Sequence, residues 1–124
     1  MNRRQSKEDY LERILMLQNK NGSVRAIDIA SSMDYSRASV SIALKKLKND
    51  EMINVNSEGL ITLTDKGLET AKAVYEKHTY ITSFLMHIGV NEDIALEDAC
   101  KMEHDLSIES FEKLKEYCIK NKIV

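Results

Sequence analysis

Between Lys7 and Lys20 the apolar residues Tyr10, Leu11, Ile14, Leu15, Met16 and Leu17 fall close to the spacing that buries one face of a helix. Ser6 is placed to cap this helix, Glu8 and Asp9 favour its positive end, and Asn21-Gly22 closes it. A second short helix is predicted over Val24 to Met33, with Ile27, Ile29 and Ala30 inward, and Asp34-Tyr35 turns the chain tightly. Ser36 caps a third helix reaching about Asp50, with Val40, Ala43, Leu44 and Leu47 buried and Lys45, Lys46 and Lys48 outward. The period then changes to two. Ile53 and Val55 alternate with Asn54 and Asn56, Ser57-Glu58-Gly59 turns, and Leu60 to Leu63 returns, which is the pattern of a hairpin.

After the hairpin, Thr64-Asp65 caps a long helix through Leu68, Ala71, Val74 and Tyr75 to His87, ended by Gly89. Glu92 to Cys100, continuing to Asp105, forms another short helix. Ser107 caps the last, with Ile108, Phe111, Leu114, Tyr117 and Cys118 at helical spacing. The fold class is thus mainly α with a small β-hairpin. Two short helices, a tight turn and a following hairpin describe a winged helix-turn-helix, here succeeded by an all-helical half.

Composition agrees with this order. The 124 residues include no Pro and only four Gly, and 43% are hydrophobic, enough for a core. No apolar run is long enough to span a membrane, and the first ten residues lack the apolar stretch of a signal peptide, so a cytoplasmic location is expected. Two cysteines, Cys100 and Cys118, fit a reduced compartment better than a disulfide framework. The net charge of −2 argues against a nucleic-acid partner, but its distribution argues for one. Residues 1–50 carry ten Lys/Arg against six Asp/Glu, whereas residues 51–124 carry eight against fourteen.

In a winged helix-turn-helix the second helix of the pair enters the major groove. Here its first turns offer Ser36, Arg37, Ser39 and Ser41 to base edges and phosphates, and Lys45, Lys46 and Lys48 reach flanking phosphates. Arg25 and the wing residues Asn56 and Ser57 are further candidate contacts. For any single residue a second reading stands beside this one: Ser36 as a helix cap only, the lysines as a solvated face only.

The remaining chemistry is that of metal ligands. Asp9 and Glu12 lie three residues apart, His78 sits on the long helix, and Cys100, Glu103 and His104 share one predicted helix face. Thiolate, carboxylate and imidazole together suit Fe(II), Mn(II), Co(II) or Zn(II) better than Ca(II) or Mg(II). Taken singly, the carboxylates also complement a helix dipole, Cys100 also serves as a small apolar residue, and the histidines also occur as surface residues.

The segments S-K-E-D-Y-L-E-R-I-L, D-I-A-S-S-M-D-Y-S-R-A-S-V-S, L-T-D-K-G, K-H-T-Y-I-T-S-F-L and A-C-K-M-E-H-D-L-S carry a resemblance to a known family. In their order and over nearly the whole chain, they resemble the diphtheria toxin repressor and manganese transport regulator family. The resemblance implies a DNA-binding domain over 1–73, a helical dimerisation and metal-binding domain over 74–124, and metal binding where the two meet. Longer, iron-type members add an SH3-like domain, so a chain stopping at Val124 resembles the short manganese-type branch.

Carried over by position, Asp9, Glu12, His78, Glu103 and His104 match manganese-type ligands. Cys100 replaces a Glu of that branch and matches the iron-type branch, which in turn has Met where Asp9 stands. A Glu and a His of the iron-type ancillary site correspond to Thr82 and Leu96, so that site is expected to be absent, with His78 joining Glu12 instead. The implied activity is Fe(II)- or Mn(II)-activated binding of a homodimer to a palindromic operator, repressing genes of metal uptake, with Co(II), Ni(II) or Zn(II) as substitutes. Neither a membrane nor a small organic substrate is expected as partner. The implied dimer contact uses Phe84, Leu85, Ile88, Ile108 and Phe111, residues that serve equally as core within one chain. The rival readings are a winged-helix regulator sensing an organic ligand, a metalloenzyme and an architectural DNA-binding protein. No nucleophile–base pair or Gly-rich phosphate loop favours catalysis.

Overall fold

The computed structural model describes residues 3–123, with side chains from Lys7 to Ile123. The order is α1 (Arg3–Asn21), α2 (Ala26–Met33), α3 (Arg37–Asn49), β1 (Ile53–Val55), β2 (Ile61–Leu63), α4 (Asp65–His87), α5 (Glu92–Met102) and α6 (Ile108–Lys120). The chain divides into two compact units, Met1–Lys72 and Ala73–Val124.

In the first unit α1, α2 and α3 close around Leu11, Ile14, Ile29, Val40 and Leu47, with Ile53 and Ile61 of the hairpin completing the core. Helix α1 starts at Arg3, so Ser6 lies within it and does not cap it. Nothing in R-R-Q-S-K-E breaks a helix, and the helix extends beyond its apolar stretch. Helix α2 starts two residues later than expected. Arg25 takes the extended N-cap conformation (φ −124°, ψ 164°), its N–H donates to Asp28 Oδ2 at 2.9 Å, and the buried Val24 gives its carbonyl to the N–H of Ile61 at 2.8 Å. Ile27 is exposed while Ile29 and Ala30 are buried. Two residues turn a helix by about 200°, so one face does not hold both isoleucines.

Asp34 in the left-handed conformation (φ 56°) ends α2 and sets up α3. Ser36 Oγ accepts the N–H of Ser39 at 3.1 Å, capping α3 as expected. The two strands pair antiparallel, Ile53 with Leu63 and Val55 with Ile61. Asn56 builds the turn between them: its Oδ1 accepts from the N–H groups of Glu58 and Leu60, each at 2.9 Å, while Gly59 takes φ 80°. Thr64 then caps α4, accepting from Gly67 N–H at 3.1 Å and donating to the Glu51 carbonyl at 2.7 Å.

The second unit packs the later turns of α4 with α5 and α6 around Val74, Ile81, Ala95, Ala99, Phe111 and Cys118. Phe111 is buried edge-on to Tyr80 at 6.2 Å, which makes it core of its own chain, whereas Ile108 is 77% exposed. Helix α5 ends at Met102 instead of running to Asp105, and the turn beyond it is held by the N–H groups of Asp105 and Leu106, which both donate to the Met102 carbonyl at 3.1 Å. Among the described residues, no helix is long and apolar enough to cross a membrane.

Candidate metal centre and nucleic-acid interface

The second unit gathers four of the expected donors. Glu103 closes α5, its N–H bonded to the Ala99 carbonyl at 2.9 Å, and His104 lies in the turn that follows. The single helix face expected for Cys100, Glu103 and His104 is therefore interrupted at Met102: Cys100 is exposed, and Glu103 and His104 are buried. His78 comes from α4, 25 residues earlier, and its Nδ1 meets Glu103 Oε2 at 2.9 Å. The other oxygen, Oε1, lies 3.4 Å from His104 Nε2 without hydrogen-bond geometry. A sulfur–oxygen pair of Cys100 and Glu103 lies within 4.8 Å.

Glu103 is only 1% exposed. A carboxylate taken that far from water needs compensating positive charge or a full set of donors. His78 supplies one hydrogen-bond partner, and the other oxygen remains without a hydrogen bond among the described residues. This donor set of carboxylate, two imidazoles and a nearby thiol fits a divalent transition cation. In the first unit Asp9 and Glu12 sit one turn apart on α1, Asp9 half-buried and Glu12 buried.

The two sulfurs differ. Cys118 is buried, 3.9 Å from the Tyr80 carbonyl, and burial pushes its thiol above the ordinary range. It therefore packs, as its spacing suggested. In the native protein DTNB is expected to modify one thiol per chain promptly, and none promptly in Cys100→Ser. Prompt modification of both thiols would contradict the burial of Cys118.

The expected DNA-facing residues are all exposed: Arg25, Ser36, Arg37, Ser39, Ser41, Lys45, Lys46, Lys48, Asn56 and Ser57. Several also have structural work. Ser36 caps α3 and donates its hydroxyl to Ser39 Oγ at 3.0 Å, and the side-chain oxygen of Asn56 is engaged in the wing turn. Arg37, Ser41 and the three lysines are exposed on α3; Arg37, Ser41 and Lys48 flank the buried Val40, Leu44 and Leu47, and Lys45 and Lys46 lie farther round the helix. One residue of this surface escaped the sequence reading. Ile42 is 60% exposed, and the only signal for it was its helical spacing from Ser39 and Lys45.

Comparison with known proteins agrees with both halves. The family model described as the iron dependent repressor N-terminal DNA binding domain matches residues 4–60. That of the iron dependent repressor metal binding and dimerisation domain matches residues 64–122. An HTH-type transcriptional regulator of Methanocaldococcus jannaschii is 40% identical over 120 residues, covering 95% of this chain and 96% of the relative. The HTH-type transcriptional regulator MntR of Bacillus subtilis is 34% identical over 109 residues, covering 88% of this chain and 77% of the relative. The solved structure of the manganese regulator SloR superposes with a TM-score of 0.80 at 33% identity, covering 90% of this chain. The chain spans about half, 52%, of the length of that structure. With both family models matched in order and close relatives aligned over most of their length, the chain belongs to the iron-dependent repressor family.

Proposed function

We propose that this chain, by family a metal-dependent transcriptional regulator, acts as a homodimer that binds a palindromic operator when Fe(II) or Mn(II) is bound, repressing genes of metal uptake. The observation that carries the metal dependence is the buried Glu103 carboxylate between His78 and His104. Family membership favours this reading over a regulator sensing an organic ligand.

The ligands, by position in the family, are Asp9 and Glu12 from the first unit and His78, Cys100, Glu103 and His104 from the second. A bound cation supplies the positive charge that their clustered carboxylates lack. Asp9 and Glu12 then restrain α1, and through its core the first unit that presents α3. A dimer on a palindrome needs its two recognition helices at one separation, so restraint of each unit raises affinity by population shift. Arg37, Ser39 and Ser41 at the start of α3 and Lys45, Lys46 and Lys48 farther along then meet bases and phosphates, with Arg25, Asn56 and Ser57 flanking.

Cys100 sets the metal preference. Its thiolate strengthens Fe(II), Co(II), Ni(II) or Zn(II) relative to the harder Mn(II), while Asp9 and Glu12 favour Mn(II). The balance puts Fe(II) first with Mn(II) next.

The test is operator affinity of the full chain, measured anaerobically with Fe(II), with Mn(II) and with chelator. Affinity is expected to rise at least about tenfold with either metal and to fall steeply with salt, in proportion to the phosphates contacted. Equal affinity with metal and with chelator would sink the metal switch.

A further inference from the structure

We infer that Ile42 is a specificity-determining residue that reads thymine through its 5-methyl group in the major groove. Ile42 lies in the middle of α3 and is 60% exposed. The residues within about 60° of it around the helix are Ala38, Ser39, Lys45, Lys46 and Asn49. All five are exposed, while Val40, Leu44 and Leu47 hold the opposite, buried side. A branched apolar side chain is thus set among small, polar and basic ones on the outward face of the second helix of a helix-turn-helix. Singly exposed apolar residues are ordinary on protein surfaces. This one differs in its surroundings, because Lys45, Lys46, Lys48 and Arg37 give its helix a positive field complementary to the DNA backbone.

The chemistry then selects the base. Ile42 has no donor or acceptor, so the hydrogen-bonding edges of guanine, adenine and cytosine gain nothing from it. The major-groove edge of thymine carries an apolar methyl group that suits an aliphatic side chain. Ala38, one turn earlier, is small enough to let that base edge approach.

This inference rests on the DNA-binding reading, and its test separates the two. A duplex is selected from a random pool by the full chain loaded with Mn(II), and each thymine is then replaced singly by deoxyuridine, which deletes only the methyl. At one or two thymines per half-site the replacement is expected to weaken wild-type binding about three- to tenfold, the scale of one buried methyl group or slightly more. The same replacements should leave Ile42→Ala unaffected. Ile42→Ala should itself lose a similar factor on the parent duplex while keeping the salt slope and the response to Mn(II). Ile42→Val, which retains a branched surface, should recover part of the loss. Equal deoxyuridine penalties in wild type and Ile42→Ala at every position would overturn the assignment, as would an unchanged selected sequence for Ile42→Ala. Failure of the wild-type chain to enrich any sequence would remove the DNA-binding reading and this inference together.

Discussion

Glu103→Ala is expected to lower metal affinity by about 100-fold or more and to abolish metal-dependent operator binding. Even residues that only orient ligands cost about 10- to 100-fold when removed, and Glu103 is placed to be a ligand itself. Its carboxylate meets His78 Nδ1 at 2.9 Å and lies 3.4 Å from His104 Nε2, so its loss removes the group common to both histidines. Thermal denaturation reads the effect independently of DNA. Metal at about 100 times its dissociation constant stabilises a single-site protein by about 2.7 kcal/mol, and that increment should be present in wild type and missing in Glu103→Ala. Glu103→Gln keeps the shape and removes the charge, and it should behave like the alanine variant. An unchanged metal-induced stabilisation in Glu103→Ala would show that the centre lies elsewhere.

Gly67→Ala is expected to destabilise the first unit by about 3 kcal/mol, against the direction of helix propensity. Gly67 lies in the first turn of α4, where replacing glycine by alanine ordinarily gains up to about 1 kcal/mol. A β-carbon there would stand 2.0 Å from the backbone oxygen of Met52 and 2.9 Å from its carbonyl carbon. The clash falls on main chain that cannot rotate away. The same carbonyl accepts the N–H of Thr64 at 3.0 Å, so moving it also disturbs the cap of α4. Overpacking of this kind costs about 1–3 kcal/mol and occasionally more, which exceeds the propensity gain. Urea unfolding of both proteins decides the sign, and a variant as stable as wild type would mean that the backbone approach is looser than described.

The parts legible in sequence are those set by local rules. Ser36 capping α3, the period-two hairpin and Gly89 after α4 each follow from residues within a few positions of one another. The start of α1 was not legible, because Ser6 is a cap only where the chain before it is not helical, and R-R-Q has no reason not to be. The start of α2 depended on Val24 giving its carbonyl to Ile61, a partner beyond any helical window. Nothing near Gly67 in sequence signals its close approach to the Met52 backbone, which lies fifteen residues earlier.

For the site, spacing brought out Cys100, Glu103 and His104 but not their unequal burial. The pairing of His78 with Glu103 was not legible, since it joins separate helices; the family placed both among the ligands but set His78 beside Glu12. Ile42 was missed for the opposite reason. Apolar residues at helical spacing are ordinarily core, and only its exposure distinguishes it from Val40 and Leu44.

The unequal burial of the two sulfurs also decides how the protein meets an oxidant. With Cys118 sealed in the second unit, peroxide has one accessible thiol, and it is the residue proposed to set the metal preference. Conversion of Cys100 to a sulfenic acid leaves the core intact and replaces a soft donor by an oxygenated one. Oxidative injury would then register first as altered ion selectivity, well before any loss of fold.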